Sequence, residues 1–91
     1  MDFKREKNRI YAESDNGELM AEVTFPEVRA GVVDINRTFV DDSLRGQGIA
    51  GKLMDEAYDA IKDADKQCIP TCSYAVKWFG DHPDNNDIVA E

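Results

Sequence analysis

The sequence contains no apolar run close to the roughly 20 residues that a membrane-spanning helix needs. It is also poor in basic residues, since 11 lysines and arginines stand against 19 aspartates and glutamates, for a net charge of −8. Because nucleic acids are bound by basic surfaces, this balance argues against a nucleic acid as the principal partner. Two cysteines and one distant histidine do not make a zinc site. We therefore expect no membrane, nucleic acid or metal among the partners.

The chain has 91 residues, of which 42% are hydrophobic, and this predicts a single folded domain over 1–91. Cys68 and Cys72 are close in sequence, but on one strand their Cα atoms would be about 13 Å apart, too far for a disulfide. No apolar segment follows the basic residues of 1–7, so this stretch does not resemble a secretory signal. Free thiols without such a signal predict a cytoplasmic protein.

The first half of the chain has the alternating pattern of β-strands. The pattern predicts strands over 3–7, Arg9–Glu13, 18–25 and 32–40, with a turn at 14–17 and a connection over 26–31. In the last of these strands, strict alternation places Val33, Ile35, Arg37 and Phe39 on one face. Short links between consecutive strands favour antiparallel hairpins, that is, a β-meander.

The second half is mostly helical. Apolar residues recur every three or four positions from Ile49 to Ala64, which predicts an amphipathic helix of about four turns. Residues 67–71 suit a short strand, and Pro70 makes an edge or splayed position more favourable than a central one. A short helix over 74–79 would end at Gly80 and the breaker at 81–83, before a polar tail that we expect to be partly disordered. The fold class is therefore α+β.

The segment 46–52, Gly-Gln-Gly-Ile-Ala-Gly-Lys, matches several phosphate-binding patterns. As G-x-G-x-x-G it has the letters of a dinucleotide fingerprint, and as G-x-x-x-x-G-K it approaches a P-loop, but Leu53 stands where Ser or Thr would bind Mg²⁺. Both motifs also belong to parallel βαβ sheets. A third pattern, [QR]-x-x-G-x-[GA], is met by Arg45, Gly48 and Ala50 between a meander and a helix. All three patterns present backbone N–H groups to a phosphate at a helix N-terminus.

These features together resemble the GNAT superfamily of acyl-CoA N-acyltransferases, and specifically its very small, single-domain branch. The resemblance extends over roughly 11–83, and its most specific segments are 34–40, 44–53 and 70–74. It implies a GNAT-like fold in which an antiparallel β-meander is followed by the amphipathic helix, a short splayed strand and a C-terminal helix. It also implies that acetyl-CoA is the acyl donor, with no metal.

The resemblance further implies where coenzyme A binds. Its pyrophosphate would lie on the motif, formed by Arg45, Gly46, Gln47, Gly48, Ile49, Ala50 and Gly51. Its pantetheine arm would lie beside the preceding strand, with the backbone of Thr38, Phe39 and Val40 as partners. That strand and the one over 67–71 would splay into a V that holds the thioester. A backbone N–H near Phe39 or Val40 would stabilise the oxyanion formed when an amine attacks.

Two side chains are candidate catalytic groups. Cys72 belongs to a Cys-x-Tyr/Phe setting that recurs in the small branch, and it would either accept the acyl group or only lie near the thioester, a packing role being the alternative. Tyr74 would protonate the departing CoA thiolate or simply pack. His82, in a polar loop, is more typical of a surface or capping role, and Glu22 is a base candidate without supporting spacing. Relatives often carry His where this chain has Arg37, which would instead hold an acidic acceptor group or a CoA phosphate.

Three function classes follow. The first is an N-acetyltransferase that acts on an amine, either a small molecule or a peptide or protein. The second is a non-catalytic acyl-CoA-binding or sensing domain, and the third is an interaction module with a merely structural turn. So short a chain leaves an open cleft, which suits a large acceptor or completion by a second subunit, so both a monomer and a homodimer stay possible.

Overall fold

A computed structural model of the chain describes residues 2–90, so the parts of the predicted domain and tail at Met1 and Glu91 lie outside the described residues. Residues 2–90 form seven strands: β1 Lys4–Glu6, β2 Arg9–Glu13, β3 Leu19–Thr24, β4 Glu27–Arg29, β5 Val32–Ile35, β6 Arg37–Val40 and β7 Gln67–Pro70. Two α-helices, α1 Ile49–Asp63 and α2 Ser73–Asp81, accompany 3₁₀ segments at Asp42–Leu44 and Pro83–Ile88. This order confirms the predicted α+β class.

The strands form two sheets that meet between β5 and β6. The first sheet is antiparallel with the order β1-β2-β3-β6, and the second has the order β4-β5-β7. Strand β7 pairs with β5 in parallel, across a connection that contains α1. The meander is therefore present, and the turn at 14–17 has Gly17 at φ 84° as the pattern required. The connection over 26–31 is more ordered than expected, because it contains the short edge strand β4.

The predicted strand over 32–40 is in fact two strands that diverge at Asn36. The Asn36 amide donates to the Thr24 carbonyl at 3.2 Å, and this one extra residue changes which side chains face inward. Val33 and Ile35 are buried, as expected. Beyond Asn36, however, Thr38 lies opposite Val23, and Val40 lies opposite Ala21.

Ala21 and Val23 belong to the core, so Thr38 and Val40 face the core as well. The prediction that placed Arg37 and Phe39 on the same face as Val33 and Ile35 was therefore wrong. Those two side chains lie on the opposite face, where the Arg37 guanidinium is 5.4 Å from the Phe39 ring centre. A bulge adds one residue to a strand, so a strict two-residue alternation that is continued past the bulge assigns every later side chain to the wrong face.

Helix α1 covers the sheets, and its predicted amphipathic face is confirmed. Its buried residues recur at helical spacing and form one core with the sheets and α2: Ile49, Leu53, Met54, Ala57 and Ile61. Strand β7 is at the edge of its sheet, as Pro70 suggested. Helix α2 includes Gly80 and ends at Asp81, within the predicted breaker at 81–83. Beyond its end, the Asn86 side-chain amide donates to the Phe79 carbonyl at 2.8 Å.

The tail after Pro83 is ordered up to residue 90, contrary to the expectation of partial disorder. Ile88 is only 5% exposed and belongs to the core, and the Ala90 amide donates to the Cys68 carbonyl at 2.8 Å. The Asp87 carboxylate accepts from the Tyr58 hydroxyl at 2.7 Å and from Lys62 Nζ at 2.9 Å. The acidic composition of the tail therefore did not indicate that Ile88 would be buried in the core or that Asp87 would bind side chains of α1.

Replacing Ile88 by alanine is expected to lower the free energy of unfolding by about 2 kcal/mol, because a buried isoleucine loses its contacts and leaves a cavity. Chemical denaturation followed by circular dichroism measures this loss. The matched control is Val76→Ala, since Val76 is 53% exposed on α2 and its truncation removes little packing. Equal stabilities for the wild type and the Ile88 variant would show that the tail does not support the core.

Candidate active site

The glycine turn lies between the Asp42–Leu44 3₁₀ segment and α1. Gly46 and Gly48 have φ angles of 82° and 71°, a left-handed conformation that side chains rarely adopt. Gly48 is the N-cap of α1, and within residues 2–90 no side chain caps this end of the helix. The same described range offers no acceptor to five backbone amides, those of Gly46, Gly48, Ile49, Ala50 and Gly51. The Gln47 amide differs, because it turns back to the Leu44 carbonyl at 3.4 Å.

A cavity of about 230 Å³ opens directly against this turn. Its lining comes from the end of β6, the glycine turn and α2: Val40, Leu44, Arg45, Gly46, Gly48, Ile49, Ala50, Gly51 and Tyr74. A Cβ added at Gly51 would lie 3.7 Å from Tyr74 Oη, so the phenol stands over the first turn of α1. The cavity thus joins the turn to one of the two candidate catalytic side chains.

Arg45 has an exposed side chain at the mouth of this cavity. It is 79% exposed and forms an ion pair of 3.0 Å with Asp42, which is itself 85% exposed. Exposed pairs of this kind are worth little, so Arg45 can leave Asp42 for a stronger anion without a large loss. Its guanidinium is suited to a phosphate, which it can bind through two N–H groups.

Strands β6 and β7 separate into the predicted V. The last pair between β5 and β7 is Ile35 with Pro70. Beyond it, the Thr71 and Cys72 amides both donate to the Ile35 carbonyl at 3.1 Å. The Thr71 hydroxyl donates to the Asp34 carboxylate at 2.5 Å. This cluster forms the apex of the V. From it, β6 continues along β3, while the segment that follows β7 enters α2. Sequence reasoning missed it, because 37 positions separate Asp34 from Thr71.

Strand β6 presents a free backbone edge to the V. Among the described residues its strand neighbour is β3 alone, and it ends the sheet order. The Asp41 amide donates to the Met20 carbonyl at 2.8 Å, which makes Asp41 a residue bonded to β3. Since bonded and unbonded pairs alternate in an antiparallel ladder, Phe39 is also bonded to β3, whereas Thr38 and Val40 direct their N–H and C=O groups into the V.

Cys72 lies at the apex as the N-cap of α2. Its Sγ accepts a hydrogen bond from the Ala75 amide at 3.3 Å and lies 3.4 Å from Thr38 Oγ1. The thiol is partly exposed, in contrast to Cys68, which is completely buried. Burial raises the pKa of the Cys68 thiol to about 12, so this second thiol is inert at neutral pH. Both thiols are free, as predicted.

Tyr74 remains protonated well above neutral pH. Burial raises its pKa above the ordinary value, and the carboxylates of Asp55 and Asp81 raise it further because they oppose a second negative charge. A phenol in this state is a proton donor and not a base.

The other residues considered from sequence lie outside the V. Glu22 is 7% exposed and forms ion pairs with Arg9 and Arg37 on the open face of the first sheet. His82 ends α2, where its ring stacks on Trp78 with 4.3 Å between ring centres. Its Nδ1 is 2.7 Å from the Trp78 carbonyl oxygen, which is the capping role that its position favoured.

Comparison with known proteins identifies the family. The sequence model of the family described as GCN5-related N-acetyl-transferase matches residues 9–88. The solution structure of a GCN5-like protein from Staphylococcus aureus is similar to the chain with a TM-score of 0.80 and 26% identity. That match covers 98% of this chain and 87% of the other. The chain belongs to the family of GCN5-related N-acetyltransferases.

Larger members share the fold at lower identity. A GNAT-family N-acetyltransferase (YhbS) from Escherichia coli, in a crystal with CoA, has a TM-score of 0.62 and 23% identity over 76% of this chain and 42% of its own. Tetrahymena GCN5 has a TM-score of 0.65 and 8% identity over 91% of this chain and 59% of its own. The chain therefore spans about half the length of these two proteins. A search of curated protein sequences gave no match.

Two further properties concern the described part of the chain. None of its helices is both long and apolar enough to span a bilayer. Over residues 2–90, histidine, cysteine and carboxylate side chains do not gather in any group of three or more that could hold a metal ion.

Proposed function

We propose that this single domain binds acetyl-CoA and transfers its acetyl group to an amine. The observation that carries the proposal is that one cavity is lined by the end of β6, the glycine turn and Tyr74. The same cavity is therefore bordered by the free amides that would bind a pyrophosphate and by the end of the free strand edge that would bind pantetheine. Tyr74, the proton donor, also lines it. Membership of an N-acetyltransferase family supports the same chemistry.

The pyrophosphate would accept hydrogen bonds from the five free amides of the turn. These lie at the positive end of α1, a helix of 15 residues, where an anion is stabilised by the helix dipole. Arg45 would exchange Asp42 for a phosphate oxygen. Gln47, whose amide is directed to Leu44, would contribute to the shape of the turn rather than a hydrogen bond.

The pantetheine arm would extend the first sheet as an added strand along β6. Thr38 and Val40 would supply the backbone hydrogen bonds, because the backbone of Phe39 is directed to β3. Phe39 would then line the arm without bonding to it. The Val40 N–H is the better donor for the oxyanion, since it is not committed to the sheet, and Val40 would then bond to the arm through its C=O group.

The amine would attack the thioester carbonyl and form a tetrahedral intermediate. Collapse of this intermediate breaks the bond between carbon and CoA sulfur, and Tyr74 would donate its proton to the departing thiolate. The amine nitrogen would lose its proton to water, and Tyr74 would be reprotonated from water. Cys72 would accept the acetyl group first or only line the apex. Glu22 is not a free base in this arrangement, because both of its oxygens are engaged by Arg9 and Arg37.

Two observations bear on the acceptor and the competing function. The V is open and the net charge is −8, which is compatible with a cationic amine acceptor. The engagement of Glu22 by two arginines removes the base candidate of the sequence, which favours the alternative of a non-catalytic acyl-CoA-binding domain. The first test is calorimetric titration with CoA, followed by thiol release from acetyl-CoA with a panel of small amines and lysine peptides. Absence of binding at millimolar CoA would contradict both functions. Binding without amine-dependent thiol release would contradict the acetyltransferase and support the non-catalytic acyl-CoA-binding domain.

Replacing Tyr74 by phenylalanine is expected to lower kcat about 10- to 100-fold with little change in the affinity for CoA, since only proton transfer is lost. The raised pKa of Tyr74 fixes the sign of the pH dependence. Tyr74 keeps the phenolic proton that it must donate at any pH below its pKa and loses that proton above it. The wild-type rate should therefore not fall between about pH 7 and 10. Tyr11→Phe, on the opposite face of the first sheet, is the control. A loss of rate in the wild type at pH 8 to 9 would contradict Tyr74 as the proton donor.

A further inference from the structure

The contact between Thr38 and Cys72 crosses the V at its apex. Thr38 Oγ1 lies 3.4 Å from Cys72 Sγ, although 34 positions separate the two residues in sequence. The bulge at Asn36 creates this contact, because it turns Thr38 rather than Arg37 toward the core and α2. A strand without the bulge would have placed a guanidinium near the sulfur.

The sulfur of Cys72 is surrounded by donors. The Ala75 amide can only donate, so Sγ is the acceptor of that hydrogen bond at 3.3 Å. The Thr38 hydroxyl can donate or accept, but toward a thiolate it can only donate. Deprotonation of Cys72 would therefore leave a sulfur that accepts from one hydroxyl and one amide.

We propose that the Thr38 hydroxyl is a positioning residue for the Cys72 thiolate. This inference rests on the proposed function and assigns Cys72 the role of acetyl acceptor. The thiolate attacks the thioester carbonyl, the bond to CoA sulfur breaks, and the CoA thiolate takes the proton of Tyr74. An amine then attacks the acetyl-cysteine, and Cys72 leaves as a thiolate that regains both donors. The amine proton passes to water, and the Tyr74 phenolate takes a proton back from water.

The rate of alkylation of Cys72 by iodoacetamide, at fixed pH and without CoA, tests the proposal. Cys68 is completely buried, so Cys72 is the thiol that reacts in the folded protein and Cys68 reports any unfolding. Thr38→Val removes the hydroxyl at equal volume and is expected to slow the reaction about three- to fivefold, since the thiolate loses one donor. Thr38→Ser keeps the hydroxyl and is expected to react within about twofold of the wild type.

Two outcomes would overturn the proposal: a wild-type or faster rate in a folded Thr38→Val protein, or a serine variant as slow as the valine variant. If the valine variant does not fold, Thr38→Ala replaces it with the same expected slowing. Because alkylation needs neither CoA nor an acceptor, its result is independent of whether acetyl transfer is observed. If no acetyl transfer is observed but alkylation is slowed in the valine variant, the proposed acetyltransferase function is rejected. The interaction between Thr38 and Cys72 is then still supported.

Discussion

Replacing Cys72 by serine is expected to lower the rate of acetyl transfer about 100-fold, because serine at neutral pH is a far weaker nucleophile than a thiolate. The thermal stability should not fall, since Cys72 is the N-cap of α2 and serine is a preferred N-cap that can also accept from the Ala75 amide. The measurement is acetyl-CoA-dependent transfer to the best amine found, together with the mass of the protein after incubation with acetyl-CoA alone.

The matched control for this variant is Cys68→Ala, which should show the reverse result. Cys68 is completely buried in β7 and exposes no sulfur to the V, so its truncation should cost about 1 kcal/mol of stability and leave the transfer rate unchanged. Wild-type activity in the Cys72 variant would mean that this residue only lines the apex. An unmodified Cys72 during turnover would point to direct attack by the amine.

Replacing Gly48 by alanine is expected to weaken CoA binding about 30-fold or more. The φ angle of 71° is unfavourable for alanine by about 1–2 kcal/mol, and relief of this strain would turn the first amides of α1 away from the pyrophosphate. Loss of one hydrogen bond to a charged phosphate accounts for a change of this size. Calorimetric titration with CoA measures the affinity.

Gly17→Ala is the matched control, because Gly17 has a similar φ of 84° and equally open surroundings in a turn far from the cavity. Both variants should lose about the same stability, about 1–2 kcal/mol. Only the Gly48 variant should lose affinity for CoA. Equal CoA affinities in the two variants would show that the glycine turn is structural.

The reach of sequence reasoning differs between elements. Helix α1 could be predicted, because its apolar spacing directly reflects the face that it buries. The glycine turn could also be predicted, since the positive φ angles of Gly46 and Gly48 strongly favour glycine at both positions. The tail could not, because a single buried side chain, Ile88, leaves no periodic signal among acidic neighbours.

The sequence by itself therefore determined the succession of a strand-rich half and a helical half, the position of the glycine turn and the family to which the chain belongs. All of these depend on residues that are close together in the chain. The tertiary structure alone decided which side chains meet in the V. The bulge at Asn36 inverts β6, directs Thr38 to Cys72, and leaves Arg37 with Glu22 on the other face. One extra residue in a strand is invisible to a pattern of period two, and its effect is expressed only when the neighbouring strands pair.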